Sequence, residues 1–545
     1  MVKALDNKKG FLLWVLCLAQ FTLSADVANL SISTSTLVNV FNTDIASIQV
    51  LGIIQPLVGA ALMLSASMFG LIIGWRRLLI IGTTLGFIST LGFILIPDIY
   101  SVTLFVRPLA GIGSAFILPA VLALVVAHSP GKSRALGFGL MAAATGLAAA
   151  VMPLLSGWLH DNVSWQWPFA LIALCYLATL IGAITRIEPI HTNQPAKFDI
   201  AGSILGAVSI TVLCFGLIKL PYWGGLYALQ GASIPNWLSF IFPLSPALLF
   251  IVVGISLFTC FIFQQLSFQK RHGHALLPIH WLTNRSSRKG FIILPLMYII
   301  LGGSSFVIVT YLQVAVALSS AHSGGIILLF SAFMIGFSII TPVVFKHLNP
   351  KTLCQIAFFG VILAGGTLWL SSAADHILGS FYLGMALLGA AMGILASQCP
   401  VIITSALGER DAEQSGGLQA TLRNIGLVIG ISLFGGANQW GLESEIQSHS
   451  EIVAQMPTAF VESIDKLSHI PYIDNTRLES SVTMFEFDSA QTHNLIVINA
   501  NARLKGFDLT MIALMMTALL GFVVSSRLEC QDDTSAVLVP TKTSC

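Results

Sequence analysis

Charged residues punctuate this chain. Uncharged, largely apolar runs stand between them at 45–75, 78–97, 108–131, 135–160, 162–185, 200–218, 220–269, 290–345, 352–374, 376–408, 424–442 and 509–526. About 20 helical residues at a 1.5 Å rise cross a hydrocarbon core about 30 Å thick, so each run holds at least one span. The run 290–345 breaks near Ser319, Ser320 and Gly324 and holds two, while the stretch 10–43, interrupted only by Asp26, adds another. The pattern predicts about fourteen membrane helices.

An even number of spans starting inside leaves both termini inside. The loops at Arg76, Lys132/Arg134, Arg186/Lys197, Lys270 to Lys289, Lys346/Lys351 and Arg410 then face the cytoplasm, and cytoplasmic segments hold 19 of the 26 Lys and Arg. The short outer loops near Asp98, Asp161, Ser320 and Asp375 hold none, as the positive-inside rule requires of an N-in, C-in chain. Lys8 and Lys9 precede the first apolar stretch without a small-residue cleavage site after it, which reads as a retained span and not a signal peptide. Outside the membrane the largest piece is 441–505, acidic and too small for a catalytic domain; Phe460, Ile464, Leu467 and Ile470 recur there at helical spacing. An amphipathic helix on the outer surface, or one capping the outer mouth, is expected.

Composition removes the competing classes. With 55% hydrophobic and 9% charged residues, the 545-residue chain lacks the polar surface of a soluble protein, which carries about 25% charge. Net charge is +2 and no block of like charges occurs, so no nucleic-acid partner is implied. The 8 cysteines form no CxxC and the 12 histidines no HExxH, so neither a disulfide frame, a metal site, a cofactor nor an enzyme is expected.

Several stretches resemble one family, the fourteen-helix drug:proton antiporters of the major facilitator superfamily. "FGLIIGWRRLL" is similar to the loop pattern G-x-L-x-D-x-x-G-x-R-R, with Gly74, Arg76 and Arg77 in place but Ser67 for the first glycine and Leu71 for the aspartate. That aspartate latches the two halves in the family, so a different latch is expected here. "LFVRPLAGIGSA" resembles R-x-x-Q-G-x-G-A through Arg107, Gly111 and Gly113, and "AAAVMPLLSG" keeps Pro153 and Gly157 of the antiporter signature. "SWQWPF", "KFDIAG" and "SGGLQATLRNIGLVIGISLFG" carry the likeness on to about residue 435. The resemblance implies an all-α major facilitator fold with two six-helix halves (1–190 and 287–530), two inserted helices within 191–286 and a cytoplasmic tail at 531–545. It further implies efflux of drugs, hence antibiotic resistance, driven by protons across the inner (cytoplasmic) membrane by a monomer.

Asp26 is the one acid squarely inside a span, since Asp199 and Asp508 sit at helix starts. If the first helix enters near Phe11, Asp26 lies about 22 Å from the inner face, and Arg107, entered from Ser101, lies about 9 Å below the outer one. The depths coincide, which allows an ion pair whose carboxylate exchanges the coupling proton. Polar candidates for substrate binding are Asn29, Gln49, Gln55, Tyr298, Tyr311, Gln313 and Gln419. Arg423 is read as a snorkelling residue at a helix boundary, the alternative being a site about 15 Å deep. One membrane acid suits lipophilic monocations or neutral amphiphiles, with anions at Arg107 as the other option. An uptake permease, a lipid-like amphiphile exporter or a non-transporting receptor would use the same fold.

Overall fold

The computed structural model describes residues 2–528 except 44, 130–132, 189–196, 230–233, 236, 239–241, 408, 454–455, 458–459, 462–469, 484 and 486. Among them fourteen helices are long and apolar enough to cross a membrane: Phe11–Leu30 (α1), Val50–Ile73 (α2), Trp75–Leu95 (α3), Ile99–His128 (α4), Ser133–His160 (α5), Gln166–Arg186 (α6) and Ile200–Trp223 (α7). The series continues with Pro246–His272 (α8), Ser287–Ala315 (α9), His322–Val344 (α10), Pro350–Ser371 (α11), Ser380–Ala406 (α12), Asp411–Ser448 (α13) and Ser489–Ser526 (α14). The protein is a multi-pass membrane protein.

Local chemistry sets where several helices begin. Ser245 and Asn349 cap α8 and α11, each followed by proline at the first helical position, where its missing N–H costs nothing. Asp199 caps α7 and also accepts from Gln264 and Gln265 of α8, at 3.0 and 2.7 Å, which ties the two inserted helices together. Helices α1 to α6 pack on one another, α9 to α14 do likewise, and the α7–α8 pair lies against α2 and α13.

The last two helices exceed their expected lengths. At 38 residues each, α13 and α14 run about 57 Å and project well beyond a bilayer core. The extramembrane piece expected over 441–505 is thus partly helical, because α13 continues to Ser448 and a capping box of Asp488 and Gln491 starts α14 at Ser489. Asp508 consequently sits inside α14, not at its start. Phe460 meets the edges of Phe485 and Phe487 in a small apolar cluster. The proposed amphipathic helix through Ile464 and Leu467 falls on 462–469, outside the described residues, as does the tail 531–545.

Arg503 is almost fully buried at the outer end of α14. It donates to Asn475 Oδ1 (2.7 Å) and to the carbonyls of Ile473 (2.8 Å) and Val314 (3.3 Å), fastening the outer segment and the end of α9 to α14. Nearby, burial raises the Tyr472 phenol above its ordinary range, so it stays neutral beside the guanidinium.

On the inner face the two halves touch directly. The Trp75 indole N–H donates to Glu413 Oε2 at 3.2 Å, and Arg134 reaches the Thr404 carbonyl at 3.4 Å. Ser67, standing where the family pattern has glycine, fits because it meets a glycine opposite: a Cβ on Gly417 would come within 2.4 Å of its side chain. Gly74, between α2 and α3, has φ +92°, a conformation that costs a side-chain-bearing residue strain, and this turn delivers Trp75 to the latch. Arg76 donates to the carbonyls of Ala183 and Ile184 within its own half, whereas Arg77 is exposed.

Candidate functional site

A cavity of about 310 Å³ lies between the halves, near the middle of the helices that wall it. One side is Gln20, Ser24, Gln55, Met63, Ser114 and Thr145; the other is Tyr298, Leu301, Ser305, Phe330, Met334, Arg423 and Asn424. A mostly apolar wall with a few fixed polar groups and this volume is the form of a small-molecule site. On α1, Gln20 and Ser24 are one helical turn apart, and both meet the Thr145 hydroxyl, Gln20 at 2.9 Å.

Behind this wall Asp26 and Arg107 meet at 3.6 Å, both nearly fully buried. A turn of π-helix at Val102–Val106 immediately precedes Arg107 and shifts the register with which it enters the bundle. Its Nε donates to the Leu51 carbonyl (3.2 Å) and the guanidinium lies 5.9 Å from the Phe93 ring centre. Gly111 permits this close approach of α4 to α2, since a Cβ there would fall within 2.6 Å of Val58, and Gly113 does the same against Gly82 of α3. Asp26 is closed on its other side by Gln55 Nε2 (2.9 Å) and the Tyr176 hydroxyl (3.3 Å). Gln55 thus belongs to both structures: it lines the cavity and holds the carboxylate.

The other candidates divide. Tyr298 lines the cavity with Gln55. Asn29 is buried away from it, accepting from Ser33, and Gln419 is buried with its amide on Ser415. Tyr311 donates to the Ala373 carbonyl at 2.7 Å and stacks on Phe507 at 4.1 Å, outside the cavity lining, and Gln313 is exposed on the π-helical turn that ends α9. The side chain of Gln49 lies outside the described residues. Pro153 sits within α5, and Gly157 has nothing within 4 Å of where a Cβ would stand, so close helix approach does not account for it.

Arg423 corrects the boundary reading. Helix α13 starts at Asp411, which puts Arg423 about 18 Å along it. It stands in the cavity wall with its guanidinium 5.3 Å from the Tyr298 ring centre. Treating each charge as a helix end hid this position. Tyr176, an ordinary tyrosine in an apolar run, gave no signal at all.

Fourteen membrane-length helices in two bundles around a central small-molecule cavity define a membrane transporter. The sequence profile of the Major Facilitator Superfamily matches residues 16–431, and the chain belongs to that superfamily. It is similar to the tetracenomycin C resistance and export protein of Streptomyces glaucescens, 25% identical over 69% of this chain and 66% of that protein. It is also similar to the multidrug transporter protein MdtP of Bacillus subtilis, 26% identical over 60% of this chain and 57% of that one. The matched regions thus span less than two thirds of those relatives' own lengths. Among solved structures, the human organic anion transporter MFSD10 superposes with a TM-score of 0.56 over 95% of this chain and 99% of that one; at 11% identity this is a likeness of fold.

Proposed function

We propose that this protein exports lipophilic small molecules across the cytoplasmic membrane in exchange for protons, by rocking its two halves around the central cavity. The observation that carries the reading is the Gln55 bridge between the cavity wall and the buried Asp26 carboxylate. As a carboxylate, Asp26 accepts from Gln55 and Tyr176 and faces Arg107. The Gln55 carbonyl oxygen meanwhile has no partner among the described residues. A proton on Asp26 turns an acceptor into a donor, and an amide flip of Gln55 turns its carbonyl oxygen round to accept from the acid. The cluster thus has a different arrangement for each protonation state, the protonated one releasing Arg107 from its carboxylate, and whatever occupies the cavity presses on the residue that distinguishes them. Movement between states requires the Trp75–Glu413 contact at the inner face to open and re-form. The relative named as a tetracenomycin C resistance and export protein supports the outward direction.

The physical reason for expecting a monocation weakens, because Asp26 stands behind Gln55 and is paired with Arg107, leaving no carboxylate among the described residues of the cavity lining. Neutral amphiphiles keep their support from the apolar wall.

The test uses purified protein and a ligand selected by thermal stabilisation. Ligand addition in weak buffer is expected to release protons, read with a pH dye. Asp26→Asn is expected to abolish that release while the protein still melts cooperatively and binds ligand. Proton release unchanged in the variant would refute the role of Asp26, since an amide cannot carry the proton.

A further inference from the structure

Arg423 is a half-buried cation without an anion. Among the described residues no carboxylate lies within ion-pair distance of it and no hydrogen-bond acceptor holds it; its contact is the face of Tyr298. The other two arginines deep in the bundle have partners, Arg107 in Asp26 and the Leu51 carbonyl, Arg503 in Asn475 and two carbonyls. Leaving a charge unpaired in a low-dielectric interior is costly, and such a group inside a span marks a ligand or ion path.

Arg423 is also the one charged side chain in the described lining of the cavity. The Asp26–Arg107 pair behind the wall sums to zero, so it does not offset the field of Arg423. The Tyr298 ring, 5.3 Å away, meets the charge without taking an N–H hydrogen bond, which leaves the N–H groups, a planar fork that matches a carboxylate in two parallel hydrogen bonds, for a ligand.

We propose that Arg423 is the anion-docking point of the cavity, and that the transported molecule is an amphiphilic aromatic acid. Its carboxylate or phenolate sits on Arg423, and its apolar body lies against Leu301, Phe330 and Met334. This rests on the transport reading above and adds the charge of the substrate to it. An outgoing anion exchanged for an incoming proton moves charge in one electrical direction twice, so an inside-negative potential drives both halves of the exchange.

The test compares three probes of one shape, 2-naphthoate, 2-naphthamide and 2-naphthylmethylammonium, on protein in lipid nanodiscs. The acid is expected to bind about tenfold or more tightly than the amide, the size of one charge-assisted contact. Arg423→Gln is expected to erase that difference and Arg423→Lys to keep part of it, while the amide binds alike to all three proteins, which shows that the cavity is intact. Equal affinity for the acid in the native protein and Arg423→Gln overturns the proposal, as does an acid that fails to bind or is outcompeted by the ammonium probe. Sealed proteoliposomes separate this from the transport reading. Acid preference without gradient-driven flux leaves the docking point standing and sinks transport; gradient-driven flux of amide or ammonium with no acid preference does the reverse.

Discussion

In the N-terminal half Asp26 is met by Arg107, Gln55 and Tyr176 and is sealed from the cavity, whereas in the C-terminal half Arg423 faces the cavity with an aromatic ring as its neighbour. Both are charges inside membrane spans, yet they suit different tasks. A carboxylate can be neutralised by a proton, and its saturated surroundings make that event a switch between two packed states. An arginine stays charged throughout physiological pH, so it cannot serve as that switch, but an unpaired one can hold an anion. In the scheme proposed above the two halves divide proton and ligand between them, with Gln55, which touches both Asp26 and the cavity, as the connection.

The strongest way to break this comparison is to open the closed cluster. Asp26→Asn strands Arg107 and Arg107→Gln strands Asp26, and removing one member of a buried pair costs about 3–5 kcal/mol. The double variant strands neither, so it is expected to lose less stability than the two single losses summed. Thermal unfolding in detergent measures the coupling. A coupling energy within about 0.3–0.5 kcal/mol of zero would mean that the two residues act independently and that the N-terminal half is as open as the C-terminal one.

A smaller effect is expected at the seam between the halves. Trp75→Phe removes the donor to Glu413, a hydrogen bond to a charged group worth about 1.5–3 kcal/mol, and trims the six-membered indole ring that lies against Gly70. The population open to the cytoplasm should rise, read as faster labelling of a cysteine placed at Ser114 by a reagent added from the inner side. Unchanged labelling would show that Arg134 and the Ser67–Gly417 contact carry the closure without it.

Fourteen helices were legible because an apolar span must exceed a fixed length, and charge is too expensive in lipid to occur inside one without a partner or a cavity. The same logic explains the misses. Arg503 and Asp508 were assigned to a loop and a helix start because charges were read as ends, yet partners from the outer segment let α14 run through Arg503. Matching depths anticipated that Asp26 and Arg107 could pair, since depth follows from counting residues. Which faces meet does not. Tyr298 and Tyr311 looked alike, but thirteen residues turn a helix through about 220° beyond whole turns, and the second ring stacks on Phe507 outside the cavity lining. Gln313 lies about 22 Å farther along α9 than Tyr298, at its outer end.

The finest test converts the open half into a closed one. Gln419 stands four residues before Arg423 on α13, with its carbonyl oxygen unpartnered. Gln419→Glu changes that group to a carboxylate of the same shape, in the order that favours a helical i,i+4 pair, acid N-terminal to base. If the attraction of the cavity for acids comes from an unpaired Arg423, a neighbouring carboxylate should weaken 2-naphthoate binding by about tenfold, the loss of roughly one charge-assisted contact. Binding of 2-naphthamide should hold, because neither the wall nor the volume changes. Equal losses for acid and amide would point to a collapsed cavity, and no loss for either would mean that Gln419 does not reach Arg423. Loss for the acid alone, together with restored acid binding in Gln419→Ala, would show that being unpaired is what fits Arg423 for its task, just as being paired fits Asp26 for its own.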